Sequence, residues 1–323
     1  MSAVPGLRLP VSRFVLGTMT FGDTADASAS AAMLDAALAA GVTMVDTANG
    51  YAGGATETIL GDLLPSRRDD LLLATKAGIP HPDAGGHAPL SAAGLTASVE
   101  GSLRRMRVES VDLLHLHQPD RATPLEETLA TVADLHARGL VGALGVSNFA
   151  AWQISDVIAV ADRVGAPRPV VAQQLYNLLA RHLETEYAEF ARTHGLHTMV
   201  YNPLGGGLLT GRHTRGSVPT GGRFADSRLA EMYKARYWTP DLLGAAEELT
   251  AVAAAAGLGL IELAFRWLFS KDVVGSVLLG ASRPEQLAAN LELATAPPLP
   301  ADLLAACDEV GARLFGPMPA YNR

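Results

Sequence analysis

Cysteine is nearly absent: Cys307 is the only one in 323 residues. A single thiol excludes an intrachain disulfide and a thiolate metal cluster, and suits a reducing compartment such as the cytoplasm. Positive charge is also scarce. The 25 Lys and Arg stand against 33 Asp and Glu, a formal net charge of -8, which argues against a nucleic-acid footprint. Long apolar runs are missing too. The start, Met1 to Arg8, has no apolar core of signal-peptide length, and the longest uncharged apolar stretch, around Ala251 to Ile261, is too short to span a bilayer. With nucleic acid and membrane set aside, the expected partner is a small molecule, bound by a cytoplasmic chain. Hydrophobic residues make up 49% of the chain and charged ones 18%, enough to bury a large core.

What is present is alternation. Short apolar runs occur at Phe14 to Leu16, Thr43 to Val45, Leu71 to Ala74, Val111 to Leu116, Gly142 to Val146, Val170 to Gln173, Thr198 to Val200 and Val274 to Leu279. Between them lie stretches with apolar residues at three- and four-residue spacing: Ala29 to Ala40, Ala92 to Arg107, Pro124 to Arg138, Ala150 to Val164 and Glu184 to His194. Such alternation means parallel strands, and a repeat of about thirty residues is the size of one strand-helix unit. Eight units close on themselves, so the expectation is an α/β fold: one domain, residues 1–323, forming an eight-stranded parallel (β/α) TIM barrel. An N-terminal β-hairpin (Leu7 to Pro10 with Arg13 to Leu16) would plug one end. A C-terminal helix, Ala301 to Leu314, and a tail ending at Arg323 would follow the last strand. Residues 79–89 and the stretch from Gly205 to about Pro240 are too long for ordinary connectors and follow strand carboxyl ends, which makes them lid candidates.

The run Met44-Val-Asp-Thr-Ala-Asn-Gly-Tyr51 ends an apolar strand in Asp46 and places Tyr51 in the next turn, while Lys76 ends Leu72-Leu-Ala-Thr-Lys76. A buried ammonium beside a phenol favours the phenolate, and a nearby carboxylate keeps the ammonium charged. Each residue alone has a plain structural alternative: a helix cap, a turn packer, a solvated strand end. The other strand ends are polar as well: Gly17-Thr18, His117, Ser147-Asn148, Gln173, Tyr201-Asn202 and Gly280-Ala-Ser282. Polar ends on all eight strands read as one site at the barrel mouth. His115 shares a strand face with His117, one layer deeper, but no further histidine stands at a strand end to complete a metal-ligand set, so no metal is expected. Gly205-Gly-Gly207 is not a dinucleotide fingerprint, because Leu208 to Arg212 follows where the helix with its third glycine belongs.

The combination of Gly17 to Gly22, Asp46 with Tyr51, Lys76, Leu116 to Asp120, Gly145 to Asn148, Gln173 before Tyr176 to Leu179, Tyr201 to Leu204 and Gly280 to Gln286 resembles the aldo-keto reductases along the whole chain. Tyr51 to Gly61, Ser147 to Trp152, Asn202 to Gly211 and the segment from Gly222 to Trp238 resemble the aflatoxin aldehyde reductase / succinic semialdehyde reductase branch, as does the Pro-Ala-Tyr-Asn-Arg ending. The resemblance implies a catalytic tetrad of Asp46, Tyr51, Lys76 and His117, with Tyr51 protonating a carbonyl as a nicotinamide delivers hydride. The phenol would have to fall about three units from its ordinary value of about 10 to approach neutrality. Two unit charges about 4 Å apart at an effective dielectric of about 20 interact by about 4 kcal/mol, which puts Lys76 in range.

By the same resemblance the cofactor is NADPH. Ser147, Asn148 and Gln173 would bind its carboxamide, Tyr201 would stack on its ring, and Thr18, Met19, Asp46, Asn202, Pro203, Leu204, Gly206, Gly207, Leu208, Arg212 and Arg223 would line it. Ser282, Arg283, Gln286 and Asn290 would hold the adenosine end, where a helix amino terminus suits a phosphate. One departure is Gly280, which stands where many relatives have lysine. His117, Tyr233, Arg236 and Arg323 would bind substrate, the arginines favouring short aldehydes with a distal carboxylate, or dicarbonyls. The alternatives are an NADP-dependent sugar or alcohol dehydrogenase, and a nucleotide-sensing protein like the potassium-channel beta subunits. The chain would work as a monomer or homodimer.

Overall fold

Strands of period two alternate with helices of period 3.6 from Phe14 onward, and this alternation positions everything else. The computed structural model describes residues 1–316. The strands are β1 (Phe14–Gly17), β2 (Met44–Asp46), β3 (Leu72–Ala77), β4 (Val111–Leu116), β5 (Val141–Ser147), β6 (Pro169–Leu175), β7 (His197–Tyr201) and β8 (Ser276–Leu279). They pair in sequence order, all parallel, and β8 returns to β1, so the barrel is closed. Around it run α1 (Ala27–Ala39), α2 (Ala55–Leu63), α3 (Ala92–Met106), α4 (Leu125–Ala137), α5 (Ala151–Val164) and α6 (Tyr187–Thr193). The crossover from β7 to β8 carries α7 (Ala230–Tyr237), α8 (Pro240–Ala255) and α9 (Leu260–Phe269); α10 (Pro284–Leu291) and α11 (Ala301–Arg313) follow β8.

Two buried clusters follow from the period of two. Val15, Met44, Leu72, Ala74, Leu113, Ala143, Val171 and Met199 fill the barrel interior, and their strand neighbours, such as Phe14, Leu73, Leu114 and Val200, pack outward against the helices. With both faces covered, the strands read as nearly continuous apolar runs. The N-terminal segment joins the interior: Val4 and Val11 are buried there, and Leu7 and Leu9 pack against the same residues. The expected hairpin is reduced to one antiparallel bridge, Ser2 to Val11, because the run expected as its second arm is β1 itself.

The two long connections behave differently. Residues 79–89 are fastened to α3: Asp83 accepts from Arg105 at 2.7 Å, and His81 lies 3.1 Å from the same carboxylate. The segment after β7 does overhang. Its aromatic cluster of His213, Phe224, Tyr233 and Trp238 packs at ring separations from 4.9 to 6.5 Å. From there Ser227 Oγ donates to Asp23 of the β1–α1 loop at 2.9 Å, so the segment straps across the end of β8. The apolar stretch around Ala251 to Ile261 is broken, since α8 and α9 meet at a 90° bend, and among the described residues no single helix is long and apolar enough to cross a membrane.

Helices α2 and α3 approach closely at Gly61, where an added Cβ would overlap the Arg105 carbonyl oxygen. Alanine in place of glycine in an open helix interior stabilises by about 1 kcal/mol. Here the sign should reverse: Gly61→Ala forces two backbones apart and is expected to cost about 1–3 kcal/mol, the usual range for overpacking, read as a lower urea midpoint.

Candidate active site

Inward positions stay apolar through the body of each strand and then change character. Two residues beyond Met44 stands Asp46, beyond Ala74 Lys76, beyond Leu113 His115, beyond Val171 Gln173 and beyond Met199 Tyr201. The registers align these positions, with Asp46 beside Ala74, Lys76 beside His115 and Ser147 beside Gln173. Side chains two apart share a face, so the polar set converges on the carboxyl mouth.

Asp46 and Lys76 are both fully buried. Lys76 Nζ lies 2.6 Å from Asp46 Oδ2 and bonds Oδ1 as well, donates to the Thr47 carbonyl at 2.8 Å, and reaches the Tyr51 hydroxyl at 3.1 Å. The His117 ring stands edge-on to Tyr51, with centroids 6.1 Å apart. The four residues expected as a tetrad are therefore one constellation, and the plain readings of Asp46 as a cap and Lys76 as solvated do not hold. Gln173 closes the arrangement: its Nε2 donates to the two Asp46 oxygens at 3.0 and 3.2 Å. Its amino group is thus engaged with Asp46.

Electrostatics departs from expectation at Tyr51. Burial pushes the phenol above its ordinary value; Lys76 pulls it down, and Asp46 pushes it up again. The lysine charge is offset in part by a carboxylate in direct contact, and burial prevails over what remains. Tyr51 therefore keeps its proton. Burial works against the charge of Lys76, but Asp46 and Tyr51 outweigh it and hold the ammonium above its ordinary value. His117 is held down to about 3 by burial, then by Lys76 and His115, and His115 is likewise lowered to about 3 by burial and Lys76. Both imidazoles are neutral near pH 7, and His117 Nδ1 is buried without a partner. His115 fits inside the barrel because its neighbour is Gly145, where a Cβ would stand 2.5 Å from Nδ1. Among the described residues no group of three or more His, Cys, Asp or Glu converges as for a metal ion.

Around this centre, Asn148 and Asn202 end β5 and β7 in the left-handed region, at φ 62° and 56°, which asparagine tolerates better than most residues. Asn148 donates to the His117 carbonyl at 3.0 Å and to Ser147 Oγ at 3.1 Å, and accepts from the Tyr201 hydroxyl at 2.6 Å. Asn202 is held by Asn177, which donates to its carbonyl at 2.8 Å. Gly205, Gly206 and Gly207 are left-handed as well, beyond Pro203 and Leu204. A Cβ on Gly206 would stand 2.7 Å from the Tyr233 ring. Arg212 Nη2 lies 3.9 Å from the Cβ position of Gly207, and the Arg223 guanidinium sits 5.1 Å from the Tyr233 ring centre with a buried, unpartnered Nη1. A glycine turn flanked by two arginines, one with an unmet donor, fits the pyrophosphate of a dinucleotide.

Beyond the strap, Thr18 Oγ1 donates to the Asp46 carbonyl at 2.9 Å, and Met19 packs half-buried beside it. Ser282 and Arg283 precede α10, with Gln286 and Asn290 half-buried on it. A Cβ on Gly280 would stand 3.2 Å from the Gly17 carbonyl, so the close approach of β8 to β1 favours glycine there. Tyr233 is buried on α7, and Arg236, one turn on, is exposed with its charge felt at the Tyr201 hydroxyl. Arg323 lies outside the described residues. Sequence reasoning missed Asn177 and Glu57 as parts of the site's framework. Asn177 lies beyond the end of β6 and Glu57 on α2, so a search of strand ends passes over both.

Residues 13–312 match the model of the Aldo/keto reductase family. The chain is 36% identical to the human aflatoxin B1 aldehyde reductase member 2, over 96% of this chain and 89% of that protein. It is 34% identical to a probable voltage-gated potassium channel subunit beta of Oryza sativa subsp. japonica, over 91% of this chain and 90% of that protein. Among solved structures, a glycerol dehydrogenase from Gluconobacter oxydans superposes with a TM-score of 0.81 at 28% identity, covering 100% of this chain and 98% of that one.

The buried pair generates a stability prediction. Lys76→Met leaves the Asp46 charge buried without its partner and should cost about 3–5 kcal/mol in urea unfolding. Adding Asp46→Leu to it should recover a large part of that loss.

Proposed function

Because this chain belongs to the aldo/keto reductase family and is an oxidoreductase, we propose that it is an NADPH-dependent reductase of small aldehydes and ketones, with Tyr51 as the general acid. The observation that carries this reading is the Tyr51 hydroxyl 3.1 Å from the buried ammonium of Lys76, beside a neutral His117 at the barrel mouth. NADPH, when bound, supplies the hydride that reduces the carbonyl carbon. Ser147, Asn148, Gln173 and Tyr201 would hold its nicotinamide end, the Gly205 to Gly207 turn with Arg212 and Arg223 its pyrophosphate, and Ser282 with Arg283 its adenosine end.

The remaining chemistry belongs to the chain. A neutral imidazole carries one N–H, so His117 can donate to the carbonyl oxygen and orient it. Tyr51, kept protonated by burial, gives its proton to that oxygen as carbon is reduced. The phenolate left behind faces the Lys76 ammonium, which stabilises it and supports its reprotonation. Asp46 holds Lys76 charged and in place, and Gln173 and the Thr47 carbonyl fix Asp46 and Lys76 in turn. In reverse the same groups would oxidise an alcohol, and the structural likeness to a glycerol dehydrogenase supports that second direction. The complete acid-base constellation favours turnover over a purely sensing role. Cys307, free and buried, suits the cytoplasm.

A carbonyl panel followed by NADPH and NADH oxidation, with alcohols run in reverse, tests the reading directly. Aldehydes should be reduced, with NADPH bound at least about tenfold more tightly than NADH, as one charge-assisted contact of about 1.5–3 kcal/mol at Arg283 or Ser282 requires. Equal affinities would reject the phosphate assignment, and inertness towards every carbonyl would reject the reductase.

Arg236 carries the substrate preference in this account, because a guanidinium on the overhanging segment can fork a carboxylate bidentately. Succinic semialdehyde should be preferred over a neutral aldehyde of similar length. Arg236→Ala should raise KM for the carboxylated substrate by about tenfold while leaving the neutral one little changed. Equal losses on both would make the arginine structural.

A further inference from the structure

The turn that carries Tyr51 is strained. Ala52 adopts φ 47°, ψ 32°, and Gly53 and Gly54 follow at φ 64° and 95°. Alanine occupies the left-handed region only where its surroundings hold it there. The helix that this turn opens carries a buried carboxylate that takes no part in the chemistry derived above. Glu57, in the first turn of α2, is fully buried. Its Oε1 accepts from Thr75 Oγ1 at 2.6 Å, and its Oε2 accepts from Arg105 Nε at 2.9 Å, with Nη2 at an ion-pair distance of 2.9 Å but not hydrogen-bonded. Arg105, on α3, donates through Nη1 to Asp83 at 2.7 Å. Its side chain also presses on the strained turn: a Cβ on Gly54 would stand 3.1 Å from Arg105 Cδ. Thr75 is the strand neighbour of Lys76 and faces outward where Lys76 faces inward.

We propose that Glu57, acting with Arg105 and Thr75, is a positioning residue for the reaction: it fastens the turn bearing Tyr51 to the strand bearing Lys76 and so sets their 3.1 Å contact. One carboxylate receives bonds from β3 and α3 while sitting on the helix that the turn opens. Its bonds are charge-assisted and directional, and burial shields them from solvent, unlike a surface ion pair. The consequence is kinetic, because a misplacement of about 1 Å between reacting groups can cost about 100-fold in rate. The proposal rests on the reading of Tyr51 as the acid, so its test separates the two.

Glu57→Gln keeps the shape and an acceptor for Thr75 but loses the charge that holds Arg105; Thr75→Val removes the other contact with little change of shape. With saturating NADPH and succinic semialdehyde, each variant should lose at least about tenfold in kcat, with KM and NADPH affinity within about twofold of the parent. A second readout needs no turnover. The chain has seven tyrosines, and ring-carbon NMR of labelled protein identifies Tyr51 by the signal lost in Tyr51→Phe. The pH titration of that signal should move upward in Glu57→Gln, because a looser Lys76 contact leaves burial to act with less opposition. Unchanged kcat and an unchanged Tyr51 titration, with only a lower melting temperature, would reduce Glu57 to structural support and overturn the proposal. If the parent protein reduced no carbonyl, the functional reading would fall, and the titration would still decide whether Glu57 positions Tyr51.

Discussion

A lysine and an aspartate buried together at the mouth of a barrel set the terms for everything around them. Desolvating two charges costs several kcal/mol per ion, on the order that their attraction can offset only with good geometry and further hydrogen bonds. Lys76 and Asp46 have both. The Thr47 carbonyl and Tyr51 hydroxyl take up the remaining donors of Lys76, and Gln173 donates to both Asp46 oxygens. Lys76 pulls the Tyr51 phenol down and Asp46 pushes it up, but burial is the largest influence on it. Tyr51 therefore keeps its proton, and His117 stays neutral chiefly because it is buried.

The rest of the fold serves to hold that pair in register. Val4 and Val11 close the amino end, the inward layer from Val15 to Met199 fills the middle, and the next layer is polar. A parallel closed sheet brings eight carboxyl ends to one rim, so groups far apart in sequence meet without any long loop having to carry them. Loops add what strands cannot. Left-handed Asn148 and Asn202 turn the chain sharply at the rim, and the segment after β7 reaches Asp23 to strap the mouth.

Much of this was legible in the sequence because the period of two and the polar strand ends are local signals. Asp46, Lys76 and His117 needed only the end of an apolar run to be located, and Tyr51 only the turn that follows. The strands from β1 to β8 fall where the apolar runs predict them. Other features depend on tertiary contact and left no local trace. The hairpin at the start shrank to a single bridge because Phe14 to Leu16 pairs with β8 and β2. The stretch around Ala251 to Ile261 reads as continuous, yet the chain bends between α8 and α9, with Gly257 left-handed at φ 69° in the break. Residues 79–89 look like a lid by length alone, whereas Arg105, distant in sequence, fastens Asp83. The sign of the shift at Tyr51 is set first by burial, a matter of tertiary packing that spacing does not answer.

On the proposed function, Tyr51 supplies the proton while other groups bind the cofactor. The most direct measurement is the rate of carbonyl reduction by Tyr51→Phe beside its NADPH affinity by fluorescence titration. Removing the hydroxyl alone should abolish reduction, a loss of at least about 100-fold for a positioned general acid, with NADPH affinity nearly unchanged. Reduction near the parent rate in the phenylalanine variant would contradict the account.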